Sequence, residues 1–515
     1  MEHTQRTRFL VAFFLTAAVV LAGALRTARA GSPVRWFGTD ARNAAMGGGG
    51  AALGTGPGNL LVNPSLMSFS PSGVWLTISA AQNWLSIDPM KRDPKYDVPD
   101  SIYETRPDGW GQDRPVPTSM LSRERGATKE LPGTYLLSLA AIGSFGVPGL
   151  RIGAGFTAPV PSVVKYETWY NDEREQHFSN RLHFERFGEF DGVMTITPAA
   201  SYAPLDWLSL GLAVRVDLTM GMGAALYMPE GSEWEYSYVN SSADVTPAVR
   251  PIAGVAFRTP IGLRFGAVYS HYSYTDVKMD VRLRIWNGER PIAGSNEVQK
   301  EFLQHHRFVL GYDPRQVALA AAYEIGPFSI EASGAWEQWS QYLDRHGNGY
   351  THPTPGSSDG SEPASGDGWT DPGFEDVWTA RGGVEWRVTD FAALRAGAGF
   401  FPSPMPEQTG RYNYVDNDLV LYSLGAGFRF QIRRQVFTID VAGQVWQMLE
   451  LTVNKEDKPA KDGGIVDEVP STVTDYNDEP LAGAKGLQTN NPGFPGYGFG
   501  GVVFNASLML GTEFD

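Results

Sequence analysis

The sequence predicts an all-β fold: a 14-stranded antiparallel transmembrane β-barrel with an N-terminal hatch (plug) inside the lumen. Three observations predict it. An export leader is followed by no other run that could span a membrane as a helix. Strand-like segments alternate with a period of two, and the connectors between them are alternately short and long.

The start of the chain has the composition of a secretory signal peptide. Arg6 and Arg8 give a positive start, Phe9 to Leu25 carries no charge, and residues 28–30 (ARA) form an A-x-A cleavage site. We therefore expect residues 1–30 to be a cleaved signal peptide rather than an anchor helix. No later hydrophobic run reaches the about 18 residues that a spanning helix needs.

The composition fits a β-rich exported protein and excludes several classes of function. The chain has 515 residues, of which 59 are glycine, 12% are aromatic and 19% are charged. Because it has no cysteine, a disulfide framework, a thiolate metal site and a lipoprotein anchor are excluded. The net charge of −15 argues against nucleic acid as a partner. Two locations stay open at this point: the periplasm or medium, and a Gram-negative-type outer membrane.

Several segments alternate apolar residues with small or polar ones. Leu208 to Met220 is the clearest, and residues 419–430 and 437–451 repeat the pattern. These segments are longer than the five or six residues of a typical soluble strand. In a soluble sandwich the apolar face would pack on a second sheet, whereas in a membrane barrel it would face lipid. The alternation alone leaves both architectures open.

The connector lengths decide between the two architectures. Strand-like segments lie at approximately 73–86, 133–145, 150–160, 190–203, 208–226, 247–258, 263–276, 315–325, 328–341, 376–388, 391–402, 418–431, 435–452 and 498–514. Short and long connectors alternate between them, as the periplasmic turns and extracellular loops of an outer-membrane barrel do. We assign residues 73–515 to the barrel with its long extracellular loops. The alternation of residues 277–286 predicts a further hairpin within the loop at 277–314.

The stretch from Trp36 to Phe69 suits neither a regular helix nor a strand. It contains the four glycines Gly47, Gly48, Gly49 and Gly50 and the turn Asn63-Pro64. Such a stretch is either a linker or a plug. Because about 14 strands enclose a space that is either filled or open, we interpret residues 31–72 as a hatch inside the barrel.

Three regions carry a recognisable series of motifs. The first is ARNAAMGGGGAAL followed by GNLLVNPSLMSF, with residues 63–65 (NPS) at an N-P-A position. The second is Phe328 to Tyr342, with its W-S-Q ending. The third is RAGAGFFPSPMPEQTGRYNYVDNDLVLYSLG, with R-x-G, S-P-x-P and S-x-G elements. In this order they resemble the FadL family of outer-membrane transporters for long-chain fatty acids and other hydrophobic molecules. Residues 415–419 (VDNDL) stand at the family's P-D-x-D-R, so the proline and the arginine are absent here.

The resemblance implies a monomeric outer-membrane channel for the passive uptake of hydrophobic small molecules, either long-chain fatty acids or hydrocarbons. Extracellular loops would capture the ligand, an apolar pocket in the lumen would hold it, and hatch movement would release it. The implied partners are this ligand, outer-membrane lipid and lipopolysaccharide, and the barrel-assembly machinery, with no cofactor. An alternative is a plugged barrel that acts as a scaffold or binding module for secreted proteins.

The candidate site residues form three groups. The hatch or gate group is Gly47, Gly48, Gly49, Gly50, Asn63 and Pro64. The substrate-binding group is Trp36, Phe37, Trp75, Arg215, Arg395, Trp446 and Met448. The lateral-exit group on the third strand is Gly153, Gly155, Pro159 and Pro161, since proline removes a ladder donor and glycine favours a bulge.

Each group also has a purely structural interpretation. The hatch glycines could serve packing alone, and the prolines could simply end the third strand. The arginines could neutralise a fatty-acid carboxylate, or they could pair with lumenal acids such as Asp217, Glu385 and Asp440. Residues 356–360 (GSSDG) match the G-x-S-x-G pattern but lie in a polar loop, so we expect no catalytic residue, and no metal site, in this chain.

Overall fold

The computed structural model describes fifteen stretches of the chain. They are residues 34–90, 126–127, 133–144, 146–160, 168–169, 182–184, 186–187, 193–219, 236–286, 299–343, 348–353, 372–408, 414–433, 435–455 and 495–514. The predicted signal peptide lies outside these stretches, and the predicted limits of leader, hatch and barrel stay predictions. Among the helices within these stretches, none is long and apolar enough to cross a membrane.

Fourteen antiparallel strands close into one barrel. They are β1 (Ser72–Pro89), β2 (Gly133–Gly143), β3 (Leu150–Val160), β4 (Val193–Leu205), β5 (Leu208–Thr219), β6 (Ala248–Arg258), β7 (Leu263–Ser270), β8 (Arg315–Ile325), β9 (Phe328–Gln338), β10 (Val377–Arg387), β11 (Ala392–Phe401), β12 (Leu419–Ile432), β13 (Gln435–Asn454) and β14 (Gly496–Phe514). Each strand pairs with the next, and β1 pairs with β14 to close the ring. The predicted fold class and the 14 predicted strands are confirmed.

The outer surface of the barrel is apolar, as a lipid-facing surface must be. On β8, Leu319 and Tyr323 point outward and are 60% and 41% exposed, whereas the alternate residues Ala320 and Ala322 are buried. Aromatic side chains such as Trp386, which stacks on Phe328, lie near the barrel ends. Aromatic girdles of this kind mark the two membrane interfaces.

Four more strands form a separate antiparallel sheet at the end of the barrel with the long connectors. Its strands are Asn348–Pro353, Gln299–Asp313, Ser273–Trp286 and Tyr236–Thr246, in that order across the sheet. The pairing of Ser273–Trp286 with Gln299–Asp313 confirms the hairpin predicted in this loop. The single strand predicted at 263–276 covers β7 and the start of the strand that follows it, because the alternation continues across the break at 271–272.

The N-terminal segment, residues 34–71, consists of short helices joined by turns. They are α1 (Val34–Phe37), α2 (Ala41–Ala45), α3 (Asn59–Val62) and a 3-10 helix, Pro64–Phe69, which leads into β1. Asp40 caps α2 by accepting hydrogen bonds from the backbone N–H groups of Arg42 and Asn43, and Asn63 caps the 3-10 helix. The segment contacts lumen-facing residues of many barrel strands, which identifies its position as inside the barrel.

Candidate functional site

Lumen-facing glycines of the barrel wall let the N-terminal segment lie directly against it. A Cβ atom added to Gly266 would lie 1.9 Å from Ala51 O, and one added to Gly254 would lie 2.1 Å from Asn63 Oδ1. Similar clashes would arise at Gly211, Gly383, Gly397 and Gly425. Real Cβ atoms do not come this close to other heavy atoms, so these positions require glycine. The wall is therefore shaped to receive the segment.

The carboxylate of Glu331 on β9 holds the glycine-rich turn of the segment. Its Oε1 accepts hydrogen bonds from Gly50 N at 2.6 Å and Ala51 N at 3.0 Å. Its Oε2 accepts from Ala52 N at 3.3 Å and Leu53 N at 2.8 Å. Hydrogen bonds to an ionised acceptor are stronger than neutral ones, and successive backbone N–H groups make a natural anion site. One buried side chain thus anchors four consecutive residues.

Arg395 belongs to a buried ion-pair network that also binds the segment. Its Nε lies 2.6 Å from Glu385 Oε2, and its Nη1 lies 2.5 Å from Asp440 Oδ1. Arg42 of the segment lies 2.9 Å from the same Glu385 oxygen. Arg395 therefore has two carboxylate partners within the protein. This agrees with the interpretation that the lumenal arginines pair with lumenal acids.

Arg215 belongs to a second network, centred on Asp313. Asp313 binds Arg215 and Arg250, and its Oδ1 lies 3.0 Å from Nη1 of Arg35 in α1. Arg35 also pairs with Glu337 of β9. Burial alone would raise the pKa of Asp313, which lies beyond the barrel strands, but these three guanidinium groups outweigh it and hold that pKa well below its usual range. The carboxylate is ionised at neutral pH and fixes α1 to the wall.

Four aromatic rings meet at the end of the lumen nearest the long connectors. The ring of Trp36 lies 5.5 Å from Phe187, 5.6 Å from Trp446 and 6.2 Å from Phe401, measured between centroids. Phe37, Met448 and several aliphatic residues extend the same buried cluster. We call these four rings the lumenal aromatic cluster. Two of the predicted substrate-binding residues, Trp36 and Trp446, belong to it, and two more, Phe37 and Met448, lie in the buried cluster around it.

Trp75 does not join the lumenal aromatic cluster. It faces the lumen and is 2% exposed, but it packs in a different cluster, with Met67 and several alanines of the segment and wall. The structure therefore divides the predicted substrate-binding group. Trp36, Phe37, Trp446 and Met448 lie in or around the aromatic cluster, whereas Trp75, Arg215 and Arg395 support the N-terminal segment.

Both ladders of β3 continue through its two glycines, so the break in pairing expected at Gly153 and Gly155 is not found, whereas the ladder with β4 ends before Pro159. Gly153 and Gly155 pair with β2 and with β4, and Pro159 still pairs with β2, although the pairing with β4 ends at Thr157. The glycines instead make room for Leu60, whose methyl carbons would lie 2.8 and 3.1 Å from Cβ atoms added to Gly153 and Gly155. Pro161 lies outside the described residues, so a lateral exit at this strand stays a proposal.

Sequence reasoning missed Arg186 and Phe187 altogether. Phe187 is part of the aromatic cluster, and Arg186 Nε lies 2.6 Å from Asp416 Oδ1. Both residues come from a long connector without periodicity, which gives no signal. Asp416, by contrast, could be noticed in the sequence, since it stands in the motif at 415–419.

Comparisons with known proteins agree with this architecture. A family model described as "Outer membrane protein transport protein (OMPP1/FadL/TodX)" matches residues 263–475. The crystal structure of a Pseudomonas aeruginosa FadL homologue aligns with a TM-score of 0.53 at 17% identity, covering 95% of this chain and 100% of that chain. At this identity the likeness shows the fold.

Two further structures align more weakly. The Pseudomonas putida toluene transporter TodX has a TM-score of 0.45 at 13% identity, over 91% of this chain and 96% of that chain. The Ralstonia pickettii toluene transporter TbuX has a TM-score of 0.43 at 12% identity, over 95% and 99%. No curated protein sequence matches the chain. The family match over residues 263–475 and the closed 14-stranded barrel lead to one conclusion: this part of the chain is similar to the OMPP1/FadL/TodX family of outer-membrane transport proteins, and the chain has the fold of the FadL homologue.

Proposed function

We propose that this outer-membrane protein is a channel for the passive uptake of hydrophobic small molecules, such as monoaromatic hydrocarbons or long-chain fatty acids. The observation that carries the proposal is the lumenal aromatic cluster, a buried apolar site enclosed by the barrel and next to the N-terminal segment. Apolar solutes are held by such sites through burial and ring contacts. Inside the barrel, these solutes would cross the outer membrane without contacting its polar surface.

The charges around Trp36 favour a neutral solute at the aromatic cluster. Two guanidinium groups lie over its ring, those of Arg35 at 5.1 Å and Arg186 at 6.0 Å. Each is already paired with a carboxylate, Arg35 with Asp313 and Arg186 with Asp416. A fatty-acid carboxylate would compete with these internal acids, whereas a hydrocarbon would not.

Passage then requires the N-terminal segment to act as a hatch. It fills the lumen and is held by polar contacts, chiefly those of Glu331 and the Glu385 network. The segment also packs apolar side chains such as Leu53, Leu60 and Met67 in the lumen, so its displacement must exchange both polar and apolar contacts. We propose that displacement of this hatch opens the path from the aromatic cluster, and that Gly47 to Gly50 give its turn the required backbone freedom; Gly47, Gly48 and Gly50 have positive φ.

The uptake test compares cells that lack the gene with the same cells complemented by the full chain. We expect complementation to restore saturable uptake of labelled toluene, of labelled oleate, or of both. Equal uptake with and without the gene would contradict the proposal. The ratio of the two uptake rates would assign the substrate class.

The extensive polar anchoring of the hatch also fits a permanently plugged scaffold for secreted proteins. That alternative predicts stoichiometric protein partners after mild purification, and no change in solute uptake. Pull-down from the outer membrane with a tagged full-length chain distinguishes the two.

A further inference from the structure

We propose that residues 182–184 and 186–187 belong to an extracellular lid over the lumenal aromatic cluster, and that the ion pair between Arg186 and Asp416 is its latch. This inference rests on the proposed function, since it names the residues that control entry to the same site. The lid is described at residues 182–184 and 186–187, on the connector between β3 and β4.

The lid is buried although it belongs to a long connector. Leu182, Phe184 and Phe187 are each 0% exposed and pack in the cluster that contains Trp36 and Trp446. Connectors normally run over the protein surface, where their side chains are exposed to water. A connector that inserts three of them into the mouth of a barrel occupies the space through which a solute must pass.

A single guanidinium group fastens the lid to the opposite connector. Arg186 Nε donates to Asp416 Oδ1 at 2.6 Å, and its Nη1 donates to Pro402 O at 3.0 Å and Phe401 O at 3.3 Å. Its Nη2 donates to Asn417 O. A buried guanidinium group that loses its carboxylate partner is strongly destabilised, so it is favoured to move into water. Arg186 is thus a latch that is either fully closed or released to water.

The acceptor side of the latch is itself preorganised. Ser403 donates its hydroxyl to Asp416 Oδ2 at 2.7 Å, and the Ser403 backbone N–H donates to Asp418 at 2.8 Å. Both aspartates stand in the motif at 415–419, which lacks an arginine of its own. In this chain the guanidinium group that pairs with Asp416 comes from the lid instead.

The backbone attachment of the lid is short. His183 and Phe184 pair with Tyr414 and Val415 in a two-residue parallel ladder. The barrel strands are paired along much longer ladders on both sides. Because only two residues of the lid are paired, its release breaks few backbone hydrogen bonds, and the barrel strands stay paired.

The lid and the hatch meet at the aromatic cluster. The Phe187 ring lies 5.5 Å from Trp36 of α1 and 6.2 Å from Trp446 of β13. A solute that enters between these rings must displace Phe187. The contact between Phe187 and Trp36 is then lost. Lid opening on the outer side and hatch release on the inner side therefore act on one set of rings.

A reversible cross-link tests the lid, because the chain has no cysteine of its own. Phe184→Cys and Val415→Cys place two thiols at paired positions of the short ladder. We expect oxidation to lower hydrocarbon uptake at least tenfold and reductant to restore it. The matched control is Ser79→Cys with Ser507→Cys, a wall pair whose hydroxyls lie 2.8 Å apart and where oxidation should change nothing. Equal uptake by the oxidised and reduced lid variant would overturn the proposal.

A second measurement tests the lid without relying on transport. Leu421 is 0% exposed under the lid, so a cysteine at Leu421→Cys should react slowly with a maleimide added from outside. We expect Arg186→Gln in the same chain to speed this labelling at least tenfold, and Arg429→Gln, at an exposed arginine, to leave it unchanged. Unchanged labelling in the Arg186→Gln chain would overturn the lid. Failure of uptake in every chain, with faster labelling, would instead contradict the proposed function.

Discussion

The carboxylate of Glu331 accepts a hydrogen bond of 2.6 Å from the backbone N–H of Gly50, and this contact joins the barrel wall to the glycine-rich turn of the hatch. The three following N–H groups bind the same carboxylate. Because φ at Gly50 is 112°, only glycine fits the turn that directs these groups to one point. Glu331 is therefore the polar anchor on which a gating movement would act.

Glu331→Gln should loosen the hatch. The amide nitrogen of glutamine cannot accept hydrogen bonds, so about half of the four N–H groups lose their partner, at about 1–3 kcal/mol for each buried group left unpaired. We expect faster protease cleavage of the N-terminal segment in the folded barrel and higher uptake of hydrophobic solutes. The control is Glu324→Gln, at a half-buried glutamate paired with Arg264. Cleavage and uptake at wild-type rates would contradict the anchor role.

Gly266→Ala should displace the hatch turn. The new Cβ atom would lie 1.9 Å from Ala51 O, so either the turn or β7 must move. Overpacking of this kind costs about 1–3 kcal/mol. The measurement is the free energy or temperature of unfolding of the purified barrel in detergent. Gly443→Ala, where a Cβ atom meets nothing within 4 Å, is the matched control and should unfold like the wild type. An equal decrease in unfolding free energy in both variants would argue against close contact between the hatch turn and β7.

Asp313→Asn should destabilise the contact between α1 and the wall. Three arginines share this carboxylate, and removing one partner of a buried ion pair costs about 3–5 kcal/mol. The pKa of Asp313 is depressed in the folded state, so its stabilisation is present above the pKa of about 3.9 of an unfolded aspartate. It is lost only as the pH falls through the lower folded value. The expected difference in unfolding temperature between wild type and variant is hence constant from about pH 5 to 8, and a difference that vanishes at pH 5 would contradict it.

Trp446→Ala should weaken solute binding more than it alters the barrel. Loss of a ring that contacts Trp36, Phe187 and Phe401 removes apolar area and ring contacts, which corresponds to at least about tenfold in affinity. Quenching of tryptophan fluorescence by a brominated hydrocarbon measures it. Trp207→Ala, at a half-exposed tryptophan beside a short turn, should bind normally. Equal solute affinity in the two variants would show that the solute does not bind at the aromatic cluster.

The sequence predicts the wall of this protein far better than its contents. Period-two alternation and the alternation of connector length depend on neighbouring residues, so all 14 strands could be predicted. The contact of Gly266 with Ala51, by contrast, joins positions that are distant in the chain, and nothing in the local pattern distinguishes Gly266 from an exposed glycine such as Gly443. Arg186 and Phe187 lie in a connector without periodicity and become visible only through their partners Asp416 and Trp36.

The arginines show a second limit. Inward position could be predicted for Arg215 and Arg395 from the strand period, but their partners depend on cross-strand register and on the hatch. The same limit applies to Gly153 and Gly155. Their residue type predicts a break in pairing, whereas the space above them is filled by Leu60 of the hatch and the ladder stays intact.

The most direct test of the account is a crystal structure of the full chain with bromobenzene, located by the anomalous signal of bromine. The account predicts a bromine peak in contact with Trp36 and Trp446, with Phe187 displaced from its position 5.5 Å from Trp36. A protein that restores hydrocarbon uptake in cells but shows no peak at these rings would contradict it.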